Sequence, residues 1–185
     1  MSDHKSSIID TKSLNINVEA LHNGHKIEPD TWCSLHLQMQ PTHLHVHIKA
    51  AFANDPPPPG APGSFWGLWN HEVVELFLLG KDERYLELEF GPHGHYLVLQ
   101  FKGERQTVSQ ELDIKFVAQR DVGPTWSGQA SIPRAYLPAD ITRWNAYRIF
   151  GPPQRRIHMA AYPITSTTPD FHKTAQFGRV HWPWL

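Results

Sequence analysis

The 185-residue sequence contains a single cysteine, Cys33, and lacks a long hydrophobic run. One cysteine excludes an intramolecular disulfide framework and is typical of a reducing compartment. No stretch of about 20 apolar residues is present, so no segment has the length of a transmembrane helix. The first residues also lack the apolar segment of a signal peptide. We therefore expect a cytoplasmic protein, with the nucleus as a second compartment, and no membrane partner.

An excess of charge of one sign is also missing. Seventeen lysines and arginines oppose eighteen aspartates and glutamates, which gives a formal net charge of −1. The only dense basic cluster is the pair Arg155–Arg156. Proteins that bind nucleic acid through its phosphates carry a marked positive patch or stripe. We therefore expect no nucleic-acid partner.

Short catalytic motifs are absent as well. The sequence has no Gly-x-Ser-x-Gly elbow, no Walker A loop, no Gly-x-Gly-x-x-Gly and no His-Glu-x-x-His. Glu87 and Glu89 are alternate residues of a predicted strand, and any such pair lies about 7 Å apart, so their spacing does not indicate a glycosidase. These absences favour a non-catalytic protein. The alternative is a hydrolytic or metal-dependent enzyme that uses Glu75, Asp170 and His172, although Asp170 could instead cap the loop backbone.

The sequence is rich in alternation of apolar and polar residues. Residues 35–40 and 44–48 both alternate, on either side of a turn at 41–42, and this period of two predicts a pair of half-buried strands. Further strands are predicted at 73–79, 84–90, 95–101, 112–119, 125–132, 144–150, 156–162 and 177–182. A helical period is nearly absent, apart from a short turn within 133–138. The pattern predicts an all-β, antiparallel β-sandwich with few short helical turns, as one domain over 1–185 whose residues 1–12 form a flexible tail.

The segment 64–79 combines two tryptophans with a carboxylate inside an apolar strand. Trp66 and Trp69 precede this strand, in which Glu75 interrupts the apolar run. A buried carboxylate is costly unless something hydrogen-bonds to it, and an aromatic side chain suits the flat face of a ring. These residues predict a binding cleft for a small molecule, either a carbohydrate or a similar polar ring compound.

Glu75 also has a purely structural interpretation. Its carboxylate could tie a neighbouring strand or loop through a buried hydrogen bond or an arginine, for which Arg148 is the candidate. The sequence leaves the binding role and the structural role equally open. Glu87 and Glu89 lie on the strand face opposite the leucines between them, and that face is predicted to be solvated.

The segment 54–63 contains four consecutive prolines, Pro56 to Pro59. Such a run cannot pair within a sheet and favours a stiff, extended path. The simplest interpretation is a crossover between the two sheets. A second is a rigid rim for the cleft at Trp69 and Glu75. A third makes the protein an interaction module in which the prolines are recognised by a partner domain.

Several segments match a known family. They are Phe52-x-x-Asp55-Pro-Pro, Leu68-Trp69-x-x-Glu72-Val-Val-Glu75, Tyr85-Leu-Glu-Leu-Glu89, Gly91-Pro-His-Gly94, Trp126-x-Gly128-x-Ala130, Leu137-Pro138, Tyr162-Pro163 and Pro169-Asp170-Phe171-His172. Through them the sequence resembles the uncharacterised animal family named for chromosome-four open reading frame thirty-three. The resemblance spans most of the chain and is loose over residues 1–40. It implies no established activity.

The same core pattern is similar, more distantly, to the family-nine carbohydrate-binding modules, which are β-sandwiches. This similarity rests on Trp69 followed by Glu75, on the strand 85–89 and on residues 171–178. It implies that Trp69 is a stacking platform and that Glu75 accepts hydrogen bonds from sugar hydroxyls. In those modules a second aromatic residue from a late loop closes the site, and here that loop carries Phe171 and His172 instead of a tryptophan. Some of the modules bind structural calcium, but no Asp-rich loop matches it here.

Three of the thirteen histidines, His43, His45 and His47, alternate along one predicted strand. They share one face of that strand, and imidazoles at alternate positions can bind one zinc or copper ion. They therefore form a candidate metal site, although a polar outer face that happens to use histidine is the simpler interpretation, since no carboxylate or cysteine ligand is visible beside them. Apart from zinc here, or calcium as in the modules, no cofactor is expected. Trp182 and Trp184 would cover a sheet edge or form a dimer contact, so we expect a monomer or a weak homodimer.

Overall fold

Two antiparallel sheets form the protein, as a computed structural model shows for residues 13–179. The five-stranded sheet contains, in spatial order, β1 (Ser13–Val18), β2 (Cys33–Met39), β3 (His43–Ala51), β9 (Thr125–Pro133) and β8 (Lys115–Arg120). The seven-stranded sheet contains β11 (Ile157–Ala160), β10 (Ile141–Phe150), β4 (Val73–Gly80), β5 (Arg84–Phe90), β6 (Tyr96–Lys102) and β7 (Thr107–Ser109), and β12 (Gly178–Arg179) also pairs with β10. Short 3-10 helices occupy Pro29–Thr31, Leu68–Asn70, Arg134–Tyr136, Pro153–Arg155 and Thr174–Gln176. No helix within residues 13–179 has the length and apolar character needed to cross a membrane.

The predicted antiparallel β-sandwich with few helical turns is confirmed. The helical turn expected within 133–138 is the 3-10 helix Arg134–Tyr136. The sequence missed β1 and β7. The second of these has three residues, too few to show a period of two. The predicted tail at 1–12, the tryptophans Trp182 and Trp184, and most of the strand predicted at 177–182 lie outside the described residues.

The main core lies between the two sheets, because alternate side chains of each strand point to opposite faces. On β4, Val74, Leu76 and Leu78 point toward the five-stranded sheet and are buried. Trp126 of β9 meets them from the other side and is completely buried. Each fully buried aliphatic side chain contributes about 1.5–3 kcal/mol relative to exposure, so this layer stabilises the packing of the two sheets.

The outer face of the seven-stranded sheet is buried as well. Val73 and Phe77 of β4 lie there, covered by the late segment 161–178 through Phe171 and Phe177. Antiparallel sheets commonly leave one face to solvent, so a second apolar layer is a departure from the simple pattern. This face carries the candidate site described below.

The proline-rich segment 54–63 connects β3 of one sheet to β4 of the other, which confirms the simplest interpretation of its sequence. Asp55 fastens it to the seven-stranded sheet. Its carboxylate accepts hydrogen bonds from the backbone N–H of Gly151 at 2.8 Å and from Arg156 at 3.1 Å. The crossover therefore has a fixed path where it approaches β10.

Candidate functional site

A cavity of about 750 Å³ lies on the outer face of the seven-stranded sheet. The five side chains proposed from the sequence as ligand-binding all line it: Trp66, Trp69, Glu75, Phe171 and His172. They come from the segment before β4, from β4 itself and from the late segment that folds back over the sheet. The structure thus brings the predicted residues together at one site, while their role in binding stays a prediction.

One wall of the cavity is built by the two tryptophans. Gly67 between them has φ 91°, a left-handed conformation that glycine adopts without strain, and it starts the helical turn Leu68–Asn70. Buried Leu68 anchors that turn to the sheet. The rings of Trp66 and Trp69 meet edge to face with centroids 5.3 Å apart. Trp66 remains 51% exposed, so much of its surface is free to contact a ligand.

Phe171 of the late segment forms another part of the cavity wall. Its ring stacks on buried Tyr147 of β10, with centroids 3.8 Å apart and planes within 5° of parallel. The Tyr147 hydroxyl accepts a hydrogen bond from Asn145 at 2.8 Å and donates one to the Phe171 carbonyl at 3.4 Å. Phe171 is therefore a packed wall held in place by β10, in contrast to the half-exposed Trp66.

His172 lies over β5 in a hydrogen-bonded chain. The backbone N–H of Arg105 donates to the Tyr85 hydroxyl at 3.1 Å, and that hydroxyl is 2.7 Å from Nδ1 of His172. Since the hydroxyl has one proton, this arrangement assigns Nδ1 as the acceptor and places the imidazole proton on Nε2. Nε2 is 3.8 Å from a carboxylate oxygen of Glu87, too far for a hydrogen bond.

The imidazole of His172 is neutral at physiological pH. Burial, and then the charge of Arg105, lower its pKa from 6.5 to about 4, and Asp170 only partly opposes them. A neutral imidazole cannot balance the charge of the neighbouring carboxylate. Asp170 caps the loop backbone, since it accepts a hydrogen bond from the His172 N–H at 3.2 Å and one from the Arg105 guanidinium at 2.6 Å.

Three buried glutamates on the outer face of β4 and β5 are here called the glutamate cluster: Glu75, Glu87 and Glu89, of which the first two line the cavity. Glu75 of β4 is the direct cross-strand partner of Glu89 on β5, and Glu87 lies two residues before Glu89 on the same face. Carboxylate oxygens from the three residues lie within 4.8 Å of one another. Their exposures are only 2%, 4% and 0%. The predicted solvated face for Glu87 and Glu89 is therefore wrong, because His172 of the late segment lies beside Glu87 and the backbone of Trp69 lies beside Glu89.

Burial raises the pKa of every member of the glutamate cluster. For Glu75 and Glu89 the pKa lies well above the usual value of 4.5, first through desolvation and then through the neighbouring carboxylates. Desolvation raises the pKa of Glu87 to about 8, partly opposed by Arg105. At neutral pH the cluster therefore holds protons unless positive charge approaches it.

The nearby arginines bind other partners. Arg156 binds Asp55 at 3.1 Å, the Gly151 carbonyl at 2.6 Å and the His71 carbonyl, and Arg105 pairs with Asp170. Within residues 13–179, no lysine or arginine forms an ion pair with the cluster. Both oxygens of Glu89 and one of Glu87 are buried there without a hydrogen bond of normal geometry.

The prediction that Arg148 is the structural partner of Glu75 is wrong. Arg148 is paired with Val74 in the β4–β10 register, so its side chain points to the opposite, inner face of the sheet. There it donates to the Ala51 carbonyl at 2.8 Å and to the Thr31 carbonyl, and pairs with Glu72 at 3.4 Å. The even alternation of the strand makes an Arg148–Glu75 contact impossible.

The histidines of β3 lie on the outer face of the five-stranded sheet, away from the cavity. The rings of His43 and His45 have centroids 6.4 Å apart, and those of His36 and His47 are 6.1 Å apart. Among the residues that the structure describes, the glutamate cluster is the group of three or more histidine, cysteine, aspartate or glutamate side chains whose ligand atoms all lie within 4.8 Å of one another. A metal site at His43, His45 and His47 stays a prediction.

Comparison with known proteins identifies the family. No family model matches the sequence. The chain is 38% identical over 166 residues to the UPF0462 protein C4orf33 homolog of Rattus norvegicus, a match that covers 80% of this chain and 82% of that protein. The chain belongs to the UPF0462 family. Membership confirms the resemblance found in the sequence, and the family name carries no activity.

Solved structures support the fold. A protein from Bacteroides uniformis ATCC 8492, provisionally assigned as carbohydrate-binding, has a TM-score of 0.69 at 18% identity, over 91% of this chain and 85% of that chain. A family 9 carbohydrate-binding module from Caldicellulosiruptor kristjanssonii, in complex with cellotriose, has a TM-score of 0.42 at 10% identity, over 78% and 71%. The first likeness confirms the β-sandwich and the second is too weak to carry an argument.

Sequence reasoning missed the contribution of Glu87 and Glu89 to the site. A usable signal was present, since the turn at 80–83 joins two predicted strands and sets Glu75 opposite Glu89. The covering of this face by residues 161–178 has no comparable signal, because that segment has no strand or helix period.

Proposed function

We propose that the cavity binds a small polar ring compound and that a carbohydrate is its ligand class. The observation that carries this proposal is the joining of an exposed tryptophan, Trp66, and the buried carboxylate of Glu75 in one cavity. The cavity volume of about 750 Å³ lies within the range of small-molecule sites. The protein acts in this proposal as a binding protein without catalysis.

The chemistry of a sugar matches both kinds of surface. The C–H face of a sugar ring packs against an aromatic side chain, and its hydroxyls donate hydrogen bonds to carboxylates. Trp66 and Trp69 supply the aromatic surface, while Glu75 and Glu87 supply acceptors. An ordinary hydrogen bond contributes about 0.5–1.5 kcal/mol, so the two glutamates add to the affinity that ring packing supplies. The provisional carbohydrate-binding assignment of the Bacteroides uniformis protein is consistent with this ligand class.

The test is calorimetric titration of the tag-free protein with a panel of mono- and oligosaccharides. We expect saturable binding of at least one sugar, and a loss of at least tenfold in affinity in both Trp66→Ala and Trp69→Ala. Val122→Ala, which truncates a fully exposed apolar side chain outside the cavity, is the control and should bind as the wild type does.

Two results would contradict the proposal. One is the absence of binding across the panel, and the other is binding that neither tryptophan substitution weakens. Turnover of a bound oligosaccharide that Glu75→Gln abolishes would replace it with the hydrolase alternative. A protein partner that is lost when Pro56 to Pro59 are replaced by serine would favour the interaction module.

A further inference from the structure

We propose that the glutamate cluster, Glu75, Glu87 and Glu89, binds one divalent cation of the Ca²⁺ class beside the cavity. This site is separate from the histidine face of β3. It also stands without the proposed ring ligand, because the three residues would hold the ion by themselves.

The geometry suits a single ion. Oxygens from the three carboxylates lie within 4.8 Å of one another. Ca²⁺ binds oxygen at about 2.3–2.6 Å, so two ligand oxygens on opposite sides of the ion are about 5 Å apart and adjacent ligands are closer. All the ligand atoms are oxygens, which favours a hard cation over zinc, whose sites are built mainly from nitrogen and sulfur.

A second observation comes from Glu89. It is 0% exposed, and neither of its carboxylate oxygens accepts a hydrogen bond of normal geometry from residues 13–179, although the Trp69 N–H and the Glu87 carboxyl lie nearby. Glu75 and Glu87 line the cavity, whereas Glu89, beside them on the same face of the sheet, is outside its lining. An organic ligand in the cavity therefore meets the first two side chains, and an ion small enough to sit between the carboxylates satisfies Glu89 as well. Buried polar groups left without partners call for such an explanation.

The negative charge of the three carboxylates also favours a bound cation. Three ionised carboxylates would concentrate three negative charges in a buried volume, and Arg105 and Arg156 are already bound to Asp170 and Asp55. His172 approaches the cluster only to 3.8 Å, too far for a hydrogen bond. A divalent ion would neutralise most of this charge.

The coordination number of the ion links the metal site to the cavity. Ca²⁺ takes about six to eight oxygen ligands, more than three carboxylates supply when each binds through one oxygen. The remaining coordination positions of the ion would face the cavity beside Glu75 and Glu87. Water or the hydroxyls of a ring ligand could fill them. The metal site and the proposed ring site would then lie side by side in the cavity.

Calorimetric titration of tag-free, chelator-treated protein with CaCl₂, without any sugar, tests the site. We expect saturable binding of one ion, and a loss of at least tenfold in affinity in both Glu87→Gln and Glu89→Gln. Glu111→Gln makes the same chemical change at an exposed position outside the cavity and should bind as the wild type does. Trp69→Ala should also keep the ion, which separates a failure of this site from a failure of the ring site.

Two results would overturn the proposal. The first is no saturable binding of Ca²⁺, or of Mg²⁺ and Mn²⁺ as further hard cations, up to millimolar concentration. The second is binding that persists unchanged in both glutamate variants. Should Glu89→Gln fail to fold, Glu87→Gln decides between the outcomes, and the far-ultraviolet circular dichroism spectrum of each variant checks its fold.

Discussion

The two faces of the seven-stranded sheet both bury charged side chains, but only the inner face pairs them. There, the carboxylate of Glu72 accepts hydrogen bonds from the Ala53 N–H at 3.0 and 3.1 Å and pairs with Arg148. The guanidinium of Arg148 also binds two backbone carbonyls and lies over the Phe150 ring at 4.1 Å. On the outer face, the glutamate cluster has no ion pair with lysine or arginine from residues 13–179.

This difference separates a structural role from a binding role. Burial raises the pKa of Glu72 and lowers that of Arg148, but each charge opposes the shift of the other. For the cluster, the neighbouring carboxylates add to the effect of burial. Titratable groups whose pKa is strongly shifted beside a cavity are typical of functional sites. The inner pair therefore holds β4, β10 and the crossover together, and the outer cluster is available to a ligand.

The largest expected effect comes from breaking the inner pair. Arg148→Met should lower the free energy of unfolding by about 3–5 kcal/mol, because it leaves Glu72 buried without its counter-charge and two carbonyls without their donor. Urea denaturation measures this loss. Arg134→Met, at an exposed arginine, should change stability by less than about 0.5 kcal/mol. A loss below about 1 kcal/mol for Arg148→Met would show that the inner pair is not structural.

The pH dependence of stability is the next largest effect. A carboxyl group whose pKa is raised on folding adds stability below its unfolded pKa, and that stability is lost as pH rises toward the folded pKa. Metal-free protein should therefore lose about 1.4 kcal/mol per pH unit for each proton that the glutamate cluster retains, between pH 6.5 and 8. Histidines with lowered pKa, such as His172, act in the opposite direction and below pH 6.5.

Urea denaturation across this pH range, in chelator, measures the slope. Glu89→Gln should flatten it, since one titrating member of the cluster is removed. Equal slopes in the variant and the wild type would show that the cluster does not retain protons in the folded state.

A smaller effect is expected from the hydrogen-bonded chain over β5. Tyr85→Phe removes the hydroxyl that accepts from the Arg105 N–H and donates to His172. Leaving two part-buried groups unpaired should lower the free energy of unfolding by about 1–3 kcal/mol. Tyr136→Phe, which removes a hydroxyl bonded only to the exposed Asp113 carbonyl at 3.2 Å, is the matched control. Similar effects of the two substitutions would contradict a special role for the chain.

The smallest effect on stability should come from Trp66. Its side chain is half exposed, so Trp66→Ala should change the free energy of unfolding by about 1 kcal/mol or less. Thermal unfolding measures this change. A loss of unfolding free energy as large as that for a core residue would show that Trp66 stabilises the fold. That result would weaken the ring-binding proposal.

The predictable part of the site was local in the sequence. Trp66, Trp69 and Glu75 lie within one stretch, and the period of two placed Glu75 on the same face as Phe77. The burial of Glu87 and Glu89 was not predictable in this way, because it depends on how the irregular segments before β4 and after β11 fold over the sheet. The ion-pair partners could not be predicted from the sequence either. Excluding Arg148 as a partner of Glu75 requires the β4–β10 register.

The most direct test of the difference between the two faces is one substitution made on each: Glu72→Gln and Glu89→Gln. Urea denaturation at pH 8 in chelator should show that Glu72→Gln lowers the free energy of unfolding by at least about 2 kcal/mol, because Arg148 loses its counter-charge. Glu89→Gln should leave it unchanged or raise it, because glutamine carries no charge to be suppressed by burial. Equal losses in the two variants would contradict the account, since both carboxylates would then be structural.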